Sequence, residues 1–109
     1  MTVFERKKDV IAHCVANNSK EFIFNKVIEE IAEFQEVIVK RRTRGTTKLP
    51  EKEEVINEFG DLLYRGVVHL CQEFPELKLT EILTKIQDRI DKKLTNLEEA
   101  IKTGRYKGL

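Results

Sequence analysis

Apolar residues three and four apart recur through three long stretches of this chain, and that period belongs to the α-helix. Phe24, Val27, Ile28, Ile31, Phe34 and Ile38 form one series. Ile56, Phe59, Leu63, Val67 and Leu70 form a second, and Ile82, Ile86, Ile90, Leu94, Leu97 and Ile101 a third. A shorter series, Val10, Ile11, Cys14 and Val15, precedes them. Only five Gly and two Pro interrupt 109 residues, too few for the many tight turns of a sandwich or barrel. The expected fold is all-α, a four-helix, bundle-like single domain over residues 1–109.

Local signals set the expected boundaries. Thr2 and Glu5 have capping-box spacing for a first helix reaching about Asn17. Ser19 is a good N-cap for a second helix reaching about Arg42. The stretch RRTRGTTKLP, 41–50, has no period and reads as a flexible loop. Pro50 suits the first turn of a third helix, with Glu51, Glu53 and Glu54 near its positive dipole end. That helix stops before Pro75. Thr80 can cap a fourth helix, with Gly104 just past its end and a loosely held tail beyond. Phe22 is expected in the core.

Charge excludes some classes of function. Twenty Lys+Arg face nineteen Asp+Glu, a net charge of +1, which argues against a general nucleic-acid binder. No apolar run approaches the roughly 20 residues of a membrane span, and the N-terminus has no signal-peptide pattern. No membrane association and a cytoplasmic location are therefore expected. Cys14 and Cys71 are too few for a disulfide framework or metal knuckle and read as reduced, buried thiols. So short a chain leaves apolar surface unburied, so self-association as a dimer or tetramer is expected.

The chemistry lies in the carboxylates. Glu29, Glu30, Glu33 and Glu36 stand on the second helix, and Glu54, Glu58 and Asp61 on the third. Glu30 and Glu33, then Glu58 and Asp61, are each three apart and share a helix face. Across an antiparallel hairpin the two pairs would make a four-carboxylate nest that repels itself unless a cation sits within it. All-oxygen donors suit Mg²⁺, with Mn²⁺ a possible substitute. Acidic helix residues are more often a solvated face. Against that, Glu29, Glu33 and Glu36 share a stripe with no cation between them. No cation lies at i+4 from Glu54 or Glu58 either, and Arg65 follows only at i+4 from Asp61. Neither His13 nor His69 has Glu three residues earlier, which sets aside a di-iron carboxylate bundle.

The stretch KVIEEIAEFQEVIVK followed by EEVINEFGDLLYRGVVHL resembles the MazG-like all-alpha nucleoside triphosphate pyrophosphatases. Their hallmark is E-x-x-E on one helix and E-x-x-D on the next, here Glu30, Glu33, Glu58 and Asp61, with 24 residues between Glu33 and Glu58. Lys26 precedes the Glu29-Glu30 doublet by a turn, and Gly60-Asp61-Leu62-Leu63 follows Glu58. The family's fourth helix often carries K-x-N-x-K and then Arg; here stand Lys85, Gln87 and Arg89, then Lys92 and Lys93. The resemblance covers about residues 20–95.

It implies that Glu30, Glu33, Glu58 and Asp61 bind Mg²⁺ and that the metal holds a nucleotide triphosphate. Water then cleaves between the α- and β-phosphates, giving the monophosphate and pyrophosphate. Glu29 or Glu33 orients or deprotonates that water. Lys26, Lys85, Arg89 and Lys92 are candidate phosphate contacts, and Tyr64 is a candidate base contact. Related enzymes act on dCTP, dUTP, general NTPs or phosphoribosyl-ATP. The competing reading is a non-catalytic helical module of the same fold that binds nucleotide or protein.

Overall fold

The structure is a computed structural model that describes residues 2–43, 45 and 48–109, the side chain of Thr2 excepted. Among the described residues the protein is entirely helical, as expected: α1 (Thr2–Arg6), α2 (Lys8–Asn17), α3 (Lys20–Arg42), α4 (Lys52–Glu73) and α5 (Leu79–Lys102). The expected first helix is divided because Lys7 leaves the helical region, at φ −108 and ψ 22. The N–H groups of Val10 and Ile11 both donate to the Lys7 carbonyl, at 3.0 and 3.2 Å, which tightens the ladder there. The capping role assigned to Thr2 lies outside the described residues, as do Arg44, Thr46 and Thr47 of the expected flexible loop.

The Ser19 hydroxyl accepts from the Phe22 N–H at 3.0 Å, so the cap of α3 stands where the sequence puts it. The other two starts move. Pro50 is buried before Glu51, the N-cap of α4, and its carbonyl accepts from Arg41 Nη1 at 3.1 Å. At α5 the Glu81 carboxylate accepts from the Lys78 N–H at 3.2 Å, so the cap is Lys78 and Thr80 lies inside the helix. The C-terminus of α5 closes as a Schellman motif. Gly104 adopts φ +74, and Arg105 N–H donates to the Ala100 carbonyl at 2.8 Å.

α3 and α4 form an antiparallel hairpin. Phe24 meets His69, Glu30 faces Arg65 and Phe34 meets Phe59, so α4 numbers fall as α3 numbers rise. The seam of α3 is Ile23, Glu30 and Val37, a seven-residue repeat on one line. This corrects the expected stripe. Val27 and Phe34 are half-buried, whereas Phe24, Ile28, Ile31 and Ile38 are exposed on one flank. Phe22 is exposed too, with the Lys26 ammonium 5.5 Å from its ring centre.

The core is centred on α4. Phe4, Ile11, Ile23, Val67, Val68 and Leu83 are buried together, with Cys14, Val15, Leu63, Cys71, Leu79 and Ile86 packed against them. Both cysteines are free, and burial pushes the Cys71 thiol above its ordinary range. Gln72 stitches α4 to α2 by donating to the Asn18 carbonyl at 2.8 Å. α5 joins this core only through its first half, by Leu83 with Leu79 and Ile86 beside it, and Ile82 is buried there too. Further along it, Ile90, Leu94 and Ile101 are exposed.

Candidate metal centre

The hairpin has one apolar flank and one acidic flank, and the acidic one holds the candidate centre. One carboxylate oxygen each from Glu30, Glu33 and Glu58 lies within 4.8 Å of the others. Glu30 is 7 % exposed, the one buried charged residue among those described. Its place in the repeat explains the burial, since seven residues in either direction the same line holds Ile23 and Val37. Glu33 and Glu58 flank it, half-buried.

Electrostatics marks the same group. Burial raises the Glu30 pKa above its ordinary value, and the charges of Glu33 and Asp61 add to it. Arg65 opposes that shift. The Glu58 pKa is also raised, by desolvation first and then by Glu33 and Asp61. Glu30 Oε2 and Glu58 Oε2 are both shielded from solvent without a hydrogen-bond donor. Buried polar atoms without partners are rare, and three clustered carboxylates, two of which carry such an oxygen, form a cradle for a cation. Oxygen-only donors fit a hard ion such as Mg²⁺ or Mn²⁺.

The structure sorts the other candidate residues. Asp61 lies outside the three-oxygen group, yet close enough to act on both Glu30 and Glu58. Glu29 is half-exposed and pairs with Lys26 at 3.2 Å. Glu36 pairs with Lys40 at 2.7 Å. The acidic stripe of α3 is therefore neutralised at both ends, and Glu33 is left between. Tyr64 lies toward α1 and α2, bordering a cleft with Phe4, Lys7 and Ile11. Lys85 and Arg89 line a different cleft, between α4 and α5, with Leu70, Phe74, Ile86 and Ile90. None of the carboxylates borders that cleft. Lys92 lies further along α5, exposed.

Arg65 is the residue that sequence reasoning undervalued. It was legible only as i+4 from Asp61, but it also follows Glu58 by seven and so shares its face of α4. Its Nε stands 3.9 Å from Glu30 Oε1.

A helical hairpin with carboxylates drawn from both of its arms defines the class: an all-α protein with a candidate cation site. Residues 3–90 match the family described as phosphoribosyl-ATP pyrophosphohydrolase, and the chain belongs to that family. The family lies in the MazG-like all-alpha superfamily, the level at which the sequence resemblance holds. No curated protein and no solved structure matches the chain. The family's activity is that of a pyrophosphohydrolase acting on a nucleotide, and its members generally use a divalent metal. Among the described residues no helix is long and apolar enough to cross a membrane.

Proposed function

We propose that this chain is a divalent-cation-dependent pyrophosphohydrolase that cleaves a nucleotide between its α- and β-phosphates. The observation that carries this reading is the buried carboxylate of Glu30, whose Oε2 has no hydrogen-bond partner, beside Glu33 and Glu58, in a chain of this family. Glu30, Glu33, Glu58 and Asp61 would hold Mg²⁺, with Mn²⁺ as substitute. A bound cation of this kind supplies charge neutralisation and polarisation of the phosphoryl group. Glu33, half-buried and free of a lysine partner, orients the attacking water and takes its proton. Glu29 is the weaker candidate because Lys26 holds it at 3.2 Å. The anhydride bond breaks, and the monophosphate and pyrophosphate leave.

The substrate is a nucleotide with at least a triphosphate-type chain. Phosphoribosyl-ATP is the first to test because the family description names it; NTPs and dNTPs follow. Lys85, Arg89 and Lys92 reach such phosphates if a second copy brings its α5 to the carboxylates. The exposed apolar residues Phe24, Ile28, Ile31 and Ile38 on α3 and Ile90, Leu94 and Ile101 on α5 support assembly as a dimer or tetramer. Pyrophosphate release from this panel, with and without Mg²⁺, tests the reading. Release that needs the cation is the expected result. Nucleotide binding without release would make the chain a binding module instead.

A further inference from the structure

Burying Glu30 in an apolar seam poses a problem that the rest of the fold must solve. An ionised carboxylate away from water and without donors is strongly disfavoured. Glu33, Glu58 and Asp61 all repel it. Arg65 stands opposite, but its geometry is not that of a closed ion pair. The Nε of Arg65 is 3.9 Å from Glu30 Oε1, beyond hydrogen-bond range. That Nε is itself shielded from solvent and has no acceptor. The guanidinium carbon instead lies 4.8 Å over the Tyr64 ring centre, a cation–π placement. The aromatic ring holds the guanidinium, and the carboxylate keeps its lone pairs.

From this geometry we propose that Arg65 is the resident counter-charge of the carboxylate group. It stabilises Glu30 through space in the cation-free protein without occupying its oxygens, and it competes with an incoming divalent cation. Tyr64 is the positioning residue that keeps the guanidinium at that distance. The inference rests on the metal reading above and adds a residue that tunes it. A fixed positive charge beside a cation site weakens binding there, and removing it strengthens binding. Arg65 thus trades cation affinity for a cation-free fold that stands without repelling itself apart.

The test uses the full chain with Arg65→Met, which keeps an apolar stem over the Tyr64 ring, and Arg65→Lys, which keeps the charge. Thermal unfolding is read in EDTA and in saturating Mn²⁺, and Mn²⁺ affinity is read by electron paramagnetic resonance. Arg65→Met is expected to lower Tm in EDTA and to bind Mn²⁺ at least about 5-fold more tightly than the unaltered chain. Its Mn²⁺-induced rise in Tm is then the larger of the two, while Arg65→Lys tracks the unaltered chain. If Arg65→Met unfolds in EDTA, recovery of the fold by Mn²⁺ is the same result. An equal Tm loss with and without Mn²⁺, unchanged Mn²⁺ affinity, or failure to fold in both would overturn the proposal and leave Arg65 a packing residue. A double-mutant cycle with Glu30→Gln in EDTA keeps the two readings apart, because it needs no metal. Coupling there, with no Mn²⁺ binding by the unaltered chain, overturns the metal reading and the competition with it, but leaves the charge pairing standing. Absence of coupling overturns the pairing itself.

Discussion

On one flank of the α3–α4 hairpin stand Glu33 and Glu58, with Arg65 facing the seam; on the other stand Phe24, Ile31, Phe34 and Phe59. The same two helices supply both, so propensity and length are shared and only the side chains differ. The acidic flank carries charge that Arg65 alone compensates only in part around Glu30, while Lys26 and Lys40 neutralise Glu29 and Glu36 nearby. The apolar flank carries surface that its own chain leaves uncovered, despite the Phe34–Phe59 contact with ring centres 5.4 Å apart. Each flank is incomplete in its own currency, one in positive charge and the other in apolar contact. On the proposed reading, a cation would complete the first and a second copy the second.

The largest effect is expected on the acidic flank. Asp61→Asn keeps volume but removes a negative charge beside Glu30 and Glu58, and it should lower pyrophosphate release at least about 100-fold at saturating Mg²⁺. The far-UV circular dichroism should be unchanged, because relieving carboxylate repulsion does not unfold a helix. Near-normal turnover by this variant would break the comparison, since the acidic flank would then be only a solvated face.

On the apolar flank, Ile31→Glu should shift the assembly to a 12.8 kDa monomer in light scattering at micromolar concentration. A monomeric unaltered chain would show that the exposed apolar residues are tolerated as they stand. α5 repeats the comparison along a single helix. Leu83→Ala, at a site 2 % exposed, should cost about 2–5 kcal/mol by chemical denaturation. Leu94→Ala, at a site 59 % exposed, should cost no more than about 0.5 kcal/mol in dilute monomer. If assembly covers the outer half of α5, the Leu94→Ala cost should rise with protein concentration toward that of Leu83→Ala.

How much of this was legible in the sequence depends on which physical rule each feature obeys. Helix existence follows from periodicity, and α3, α4 and α5 lie close to their expected spans. Ser19 and Gly104 were legible because their roles are local: a hydroxyl three residues from a free N–H, and a backbone that tolerates φ +74. The kink at Lys7 was not, because no Pro or Gly announces it. The buried line of α3 was also missed. Hydropathy favours Phe24, Ile28 and Ile31, yet the hairpin buries Ile23, Glu30 and Val37. No single-sequence rule puts a glutamate in a seam, since the cost of that burial is offset only by what lies across it. The i,i+3 spacing brought Glu30, Glu33 and Glu58 into view, but not the cross-helix place of Arg65, which depends on hairpin register. Lys85 and Arg89 were grouped with the carboxylates by resemblance, and the fold puts them in another cleft.

The smallest effect sharpens the electrostatic side of the comparison. The Glu58 pKa is raised above its ordinary value of 4.5 in the folded chain, mainly by desolvation and then by Glu33 and Asp61. A carboxyl group raised on folding binds its proton more tightly folded than unfolded. Its ionisation therefore destabilises the fold, and stability is lost as pH rises from 4.5 through the folded value. Below 4.5 both states are protonated and the penalty vanishes. Glu58→Gln should accordingly raise Tm in EDTA at pH 7, by less than Leu83→Ala lowers it, and the gain should shrink as pH falls toward 4. Saturating Mg²⁺ should reverse the order of the two proteins, because the amide is a poorer ligand and gains less from the cation. The measurement is a pair of melting curves for each protein at each pH, with and without Mg²⁺. A gain in Tm that is the same at both pH values would mean that Glu58→Gln acts through packing, and the acidic flank would lose its claim to stored repulsion.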